Sequence, residues 1–297
     1  MAGPTATGKT ALAIRLAKHF STEIISADSR QCYRELRIGV ARPTEAELEQ
    51  VPHHFIASHS IKEEVTAAGF EQFALKKAAE LFTSHDQLIM AGGTGLYIRA
   101  FCEGLDAMPV INPAIREKIM AAYEEKGMDW LQEEIRTLDP QFSREGEMKN
   151  PQRLMRALEV VQATGRSILD YRKGGKAARD FKIIKIGWTL PKEVLQRNIS
   201  TRVDQMVQAG LVEEARSLWL YRHLNALQTV GYAELFDHFD GHVSLETAIE
   251  KIKIHTRQYA KRQLTWFRKD PAWNWFSPGE EERLLAFLSV QLLHKDP

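Results

Sequence analysis

Gly3-Pro4-Thr5-Ala6-Thr7-Gly8-Lys9-Thr10 stands at the head of the chain, and Ala11-Leu-Ala-Ile-Arg-Leu-Ala-Lys-His-Phe20 follows it directly. The first stretch fills G-x-x-x-x-G-K-[ST], the pattern of a loop whose backbone N–H groups wrap a diphosphate. The second is a helix-forming run, so the positive end of a helix points at the same anion. Lys9 adds a mobile cation, and the Thr10 hydroxyl can hold Mg²⁺. The glycines let the backbone approach phosphate oxygens in conformations that a Cβ would block. Residues 3–10 therefore bind a polyphosphate, either the diphosphate of a donor or an ATP-type ligand.

A loop of this kind leads from a buried β-strand into a helix. Only Met1 and Ala2 precede Gly3 here, so that strand is missing or reduced to its last two residues. The expectation is that the physiological chain begins upstream with an apolar, β-branched run. Beyond the loop, Glu23–Ala27 and Gln87–Ala91 read as strands, His54–Ala57 as a weaker one, and Ala68–Phe82 as a helix. This alternation predicts an α/β fold with a P-loop NTPase-like parallel sheet. Ligands of open α/β sheets sit outside the carboxyl ends of strands. The phosphate loop, Asp28 and Thr94 should then face one crevice. From Pro113 the strand signals stop, and helices are expected over Pro113–Lys126, Met128–Leu138 and Pro151–Ala163. Tyr171–Arg179 reads as a basic connector, and Phe181–Thr189 returns to strand alternation. The organisation expected is a core of residues 1–112 and 181–297 with an all-helical insertion at 113–180. The C-terminal part is mostly helical, with long amphipathic segments at Lys192–Ala209 and Ser244–Arg268.

The 297 residues are 44% hydrophobic and carry a formal net charge of only +1, so any nucleic-acid surface must be local. Two cysteines, Cys32 and Cys102, make neither a disulfide framework nor a metal cluster and fit a reducing compartment. No apolar run approaches membrane-spanning length. These features suggest a cytoplasmic enzyme.

In nucleotide-hydrolysing proteins with such a loop, an apolar strand ends in an Asp that helps hold Mg²⁺. Here strand 87–91 runs into Gly92-Gly93-Thr94, and the nearest acid is Asp28 in Ser26-Ala27-Asp28-Ser29-Arg30-Gln31. One carboxylate beside a phosphate cradle suits deprotonation of a nucleophile. The structural alternative for Asp28 is a helix N-cap after a strand. Lys251–Lys269 contains seven Lys or Arg and no acid. On a helix, Arg257, Lys261 and Arg268 fall near one face, with Ile252, Tyr259, Ala260, Leu264 and Phe267 on an apolar one. Such a run is usually a solvated face, but cations with aromatic neighbours also suit a phosphate backbone with exposed bases. Asn150–Arg156 opens a helix at Pro151 and sets Arg153 and Arg156 three apart, for capping and surface charge or for the same ligand. His53, His54 and His59 lack metal-site spacing and read as strand-end and loop residues. There is no D-D-x-x-D motif of the kind most isoprenoid-chain synthases use.

GPTATGKT at 3–10, ISADSRQCYREL at 25–36, IGVARPT at 38–44 and AGGTGLYIRAFCEGL at 91–105 together resemble the tRNA dimethylallyltransferase (tRNA isopentenyltransferase) family. NPQRLMRALEV at 150–160, TVGYAEL at 229–235 and YAKRQLTWFRK at 259–269 extend the likeness over essentially the whole chain. The resemblance implies transfer of a dimethylallyl group from dimethylallyl diphosphate to the exocyclic amine (N6) of adenosine-37 beside the tRNA anticodon. It implies a monomer whose helical insertion closes on the anticodon stem-loop. It makes Asp28 the general base, with Thr94 contacting the adenosine or orienting Asp28. Lys9, the loop amides, Arg202 and Mg²⁺ at Thr10 would stabilise the leaving diphosphate. Contacts to tRNA are implied for Asp28, Ser29, Arg30, Gln31, Thr94 and Arg116, for Gln152, Arg153, Leu154, Met155 and Arg156, and for Lys261, Arg262, Gln263 and Arg268. Ala233 departs from the pattern, since many relatives carry Arg or Lys there. The rival class is a small-molecule or nucleotide kinase, which would need a strand-end Mg²⁺ aspartate and an arginine-rich lid.

Overall fold

A computed structural model describes residues 1–293. The chain divides into two compact units, one of Met1–Cys102 with the chain from Arg179 onward, the other of Glu103–Ala178. The first contains α1 (Lys9–His19), β1 (Ile24–Ala27), α2 (Glu45–Leu48), β2 (His53–His54), α3 (Ala67–Leu81), β3 (Ile89–Gly92) and α4 (Gly95–Glu103). The second contains α5 (Pro113–Leu138), α6 (Pro140–Glu145) and α7 (Pro151–Thr164). The first unit resumes with β4 (Ile186–Trp188), α8 (Lys192–Gln208), α9 (Leu211–Leu218) and α10 (Ala233–Phe239). It continues through α11 (Leu245–Phe267), β5 (Asn274–Phe276) and α12 (Glu281–Leu293).

The strands are parallel, in the order β2-β1-β3 and β4-β5, and Ala2 joins the two groups by bridging Gly92 and Gly187. Ala2 N donates to Ile186 O at 2.8 Å, Trp188 N donates to Ala2 O at 2.8 Å, and Gly92 N donates to Met1 O at 3.2 Å. The strand before the phosphate loop is thus present as two residues at the centre of the sheet. Every residue of β1 is buried, as helices on both faces of a parallel sheet require. Ile24 packs with Ala13, Ile14 and Ala17 of α1. Ile25 and Ala27 belong to the cluster of Phe70 and Ala74 from α3 and Tyr97 and Ile98 from α4.

The sheet is shorter than the sequence pattern suggests at two places. β2 stops at His54 because Phe55 and Ala57 take φ of 67° and 48°, which leaves the extended region. Of the alternating segment Phe181–Thr189, only Ile186–Trp188 is strand, while the Phe181 ring packs on those of Phe82 and Phe101 at 5.4 Å from each. β5 is a strand that three residues could not announce.

The helical unit begins earlier than residue 113. Met108 and Ile111 pack on its core, and Ala177 N donates to Glu103 O at 2.8 Å, so the unit closes at 103 and 178. Its two leading helices meet at Gly127, whose φ of 73° and ψ of −161° break the run 113–138 where the sequence places the junction. Asn112 and Asn150 cap α5 and α7, each followed by Pro at the first helical position. Leu154 and Met155 are 0% and 6% exposed in this unit's core. Both were expected as tRNA contacts. The burial of their side chains corrects that expectation, because the apolar face of an amphipathic helix is spent on its own core.

Candidate active site

The phosphate loop hangs between Ala2 and α1. Gly8 is the N-cap of α1 in the left-handed conformation (φ 79°), and Ala6 before it is also left-handed (φ 63°). Gly3 has a different role. A Cβ there would lie 2.0 Å from the Trp188 carbonyl oxygen, so it is close approach to β4 that excludes a side chain. Other elements hold the loop in place. The Trp188 indole donates to Thr7 O at 2.9 Å, Asn198 Nδ2 to Ala6 O at 3.3 Å, and Arg202 to Thr5 Oγ1 at 3.4 Å. The Lys9 ammonium donates to Pro4 O.

A cavity of about 1030 Å³ opens over the loop, and its wall includes Lys9, Thr10, Asp28, Arg202, Tyr259 and Arg262. Burial pushes Lys9 down to about 7, Arg202 beside it lowers it further, and Asp28 acts in the opposite direction. Burial also lowers Arg202, which stays charged. Neither cation has an ion-pair partner among the described residues, an arrangement that an incoming anion would relieve.

Asp28 lies just past the end of β1. Its Oδ1 accepts from Arg30 N at 2.9 Å and Gln31 N at 3.2 Å, so it caps a turn; its Oδ2 accepts no hydrogen bond among the described residues. The capping alternative and a chemical role are therefore compatible, one on each oxygen. Thr94 Oγ1 accepts from Ser29 N at 3.0 Å and lies 3.3 Å from Ser29 Oγ. The cavity wall runs through Gly92 and Gly93 but not Thr94, which braces the Asp28 turn from behind. Cys32 nearby is no nucleophile, because burial, and then Asp28, push its thiol up to about 12.

Sequence reasoning missed a clasp on the other side of the cavity. The Glu214 carboxylate accepts the backbone N–H of Arg37, Ile38 and Gly39 and the Tyr232 hydroxyl (2.6 Å). A Cβ on Gly39 would fall 2.6 Å from the Tyr232 ring. The Gln31 carboxamide holds the same loop by donating to Val40 O at 3.2 Å and Ala41 O at 3.0 Å. Gln31 was expected at tRNA, but its amide hydrogens are taken here. No local pattern announced this clasp, because Glu214 and Tyr232 lie far along the chain from the loop they hold.

Residues 31–270 match the family model described as IPP transferase. The tRNA dimethylallyltransferase of Christiangramia forsetii is 49% identical over 281 residues, covering 95% of this chain and 93% of that protein. The chain belongs to the IPP transferase family. Among solved structures, the full-length tRNA isopentenylpyrophosphate transferase of Bacillus halodurans has a TM-score of 0.73 at 34% identity, over 99% of this chain and 96% of that one. A eukaryotic dimethylallyltransferase acting on tRNA has a TM-score of 0.79 at 24% identity, over 100% of this chain and 79% of that one, a likeness of fold.

The other expected contacts of this IPP transferase family member fall into separate groups. Lys261 and Arg262 on α11 and Arg268 at its C-cap are exposed and have no ion pair among the described residues, and Arg262 and Arg268 lie over the Tyr259 and Trp275 rings. Lys251 and Lys253, on the same helix, are paired with acids, and Arg257 donates to Ser200 Oγ at 2.9 Å. Gln263 is 6% exposed and bonded on both sides, to Thr5 and Gly93. Arg30 reaches Asn225 at 3.4 Å from each terminal nitrogen. In the helical unit Gln152 and Arg153 are exposed, while Arg116 and Arg156 are both paired with the buried Glu159, at 3.6 and 2.9 Å. No group of three His, Cys, Asp or Glu among the described residues could hold a metal by itself. β3 ends without an acid, so the strand-end aspartate that the kinase alternative needs is not found there.

Proposed function

We infer that this protein transfers a dimethylallyl group from dimethylallyl diphosphate to N6 of adenosine-37 beside the anticodon of tRNA and releases diphosphate. The observation that carries the reading is the shared cavity: a phosphate loop with two unpaired cations opens into the same space as Asp28. Adenine's exocyclic amine is a weak nucleophile because its lone pair is delocalised into the ring. In the reaction this lone pair forms the bond to the allylic carbon, the carbon–oxygen bond breaks toward diphosphate, and the amine proton passes to Asp28. The loop amides, Lys9 and Arg202 take up the charge that develops on the leaving group. The kinship to named tRNA dimethylallyltransferases supports the choice of donor and acceptor.

The Thr10 hydroxyl has no hydrogen-bond partner among the described residues and lies in the cavity wall. That fits Mg²⁺ held by Thr10 and the donor's own phosphate oxygens, since the described residues offer no dedicated cage. When bound, the ion would neutralise charge on the diphosphate. Lys261, Arg262 and Arg268 engage the tRNA backbone, with Gln152, Arg153, Arg156 and Arg116 as further contacts from the helical unit. These contacts offset the few kcal/mol needed to bring the adenosine out of its stack. The protein acts as a monomer in the cytoplasm in this reading; among the described residues no helix is long and apolar enough to cross a membrane.

The test is incubation of unmodified tRNA with dimethylallyl diphosphate labelled in carbon, beside a parallel incubation with γ-labelled ATP. Label entering tRNA from the allylic donor supports the reading. Label leaving ATP, with none entering tRNA from the allylic donor, would overturn it in favour of a kinase.

A further inference from the structure

Gln263 sits in the middle of the exposed basic run of α11, between Arg262 and Leu264, yet it is buried. Its Oε1 accepts the N–H of Thr5 in the phosphate loop at 3.0 Å, and its Nε2 donates to the carbonyl of Gly93 at 2.9 Å. These are its two chemically opposite ends, and each meets the group it needs. Gly93 is shaped to this contact, since a Cβ there would lie 2.2 Å from Gln263 Nε2. The next residue, Thr94, donates its N–H to Ala27 O at 3.1 Å and accepts from Ser29 N, on either side of Asp28. One amide therefore ties the loop at the donor end of the cavity to the loop that braces the base.

We propose that Gln263 is a positioning residue that sets the spacing between the phosphate loop and the Asp28 turn, rather than a tRNA contact. The inference rests on the functional reading above. Displacing reacting groups by about 1 Å can lower turnover about 10²-fold without touching a substrate. The residue must be an amide. A carboxylate in its place would still accept from Thr5 N–H but would set its other oxygen against the Gly93 carbonyl. A protonated carboxyl would restore the missing donor.

The experiment uses the full chain, unmodified tRNA and dimethylallyl diphosphate, with the parent, Gln263→Leu and Gln263→Glu. Turnover is read at saturating substrates and tRNA affinity by fluorescence anisotropy. Gln263→Leu is expected to lower kcat by about 10–10²-fold, with tRNA affinity within a few-fold of the parent. Gln263→Glu is expected to be similarly slow at pH 8, and its rate relative to the parent should rise as pH falls and the carboxyl takes up a proton. A purely packing role would not produce that pH-dependent ratio. Weaker tRNA binding with kcat preserved would overturn the proposal and restore Gln263 as an RNA contact. If Gln263→Leu does not fold, the pH-dependent ratio for Gln263→Glu decides: a flat ratio overturns the proposal. An active parent matched by both variants would sink this inference alone, whereas a parent that leaves tRNA unlabelled sinks the functional reading and this inference with it.

Discussion

Arginines meet opposite fates in the two units. In the helical unit, Arg116 and Arg156 share one buried acid, Glu159, which is 2% exposed. In the α/β unit, burial lowers the basicity of Lys9 and of Arg202, Arg202 lowers that of Lys9 further, and no acid forms an ion pair with either among the described residues. A buried charge left without a partner is expensive, so it persists where a ligand will supply the partner. A charge neutralised within the fold contributes to stability and geometry first. The contrast separates groups that wait for substrate from groups that hold the structure.

The largest expected effect falls at the waiting site. Asp28→Ala should lower single-turnover transfer on pre-bound tRNA by about 10²–10⁴-fold, the range of a general base, while donor and tRNA affinities stay near the parent's. A rate within a few-fold of the parent would remove Asp28 from the chemistry and blur the contrast.

Glu159→Ala tests the other side. It leaves two guanidinium groups without their acid and should destabilise the helical unit by about 1–3 kcal/mol, toward the low end because both arginines reach water. Hydrogen exchange over residues 113–164 in the full chain would report it, with diphosphate affinity unchanged. Loss of diphosphate affinity instead would mean that the two sets of charges are not separate.

Lys9 gives a pH signature. Burial lowers its ammonium to about 7 in the free protein, so it is half protonated near that pH and charged well below it, and diphosphate favours the charged form. Binding above that pH must therefore take up a proton, and affinity should fall by up to about tenfold per pH unit there and be flat below. Calorimetry in buffers of different ionisation enthalpy measures the proton uptake, and Lys9→Met should abolish it.

The smallest effect is on salt dependence. Neutralising Lys261, Arg262 and Arg268 should each reduce the log–log slope of tRNA binding by up to about 0.7 to 0.9 unit, depending on whether the contact is to single strand or duplex. Arg156, already partnered by Glu159, should contribute less per charge. Equal contributions would mean that Glu159 releases its arginines when RNA arrives.

Much of this site could be read from local patterns. Residues 3–10 announced a phosphate loop because its spacing is set by backbone geometry within eight residues. Asp28 followed from a strand-end rule, and the helix junction at Gly127 from periodicity on either side. Leu154 and Met155 were misread because a motif carries both its exposed and its buried positions. Gln31 and Gln263 each lie in a polar run, but their amide hydrogens are used by backbone carbonyls within the fold, which no local pattern shows.

The sequence by itself determined the loop at residues 3–10 and the helix that follows it, the α/β order of the core, the helical insertion and the basic character of α11. All of these depend on residue type and spacing over a few turns of chain. Only the tertiary structure decided which charges are neutralised, which amides are already used, and that Met1 and Ala2 join β3 to β4. Pairing depends on contacts between segments as far apart as Thr5 and Gln263, 258 positions along the chain. A buried polar group must find a partner, and which partner it finds is a property of the packed fold.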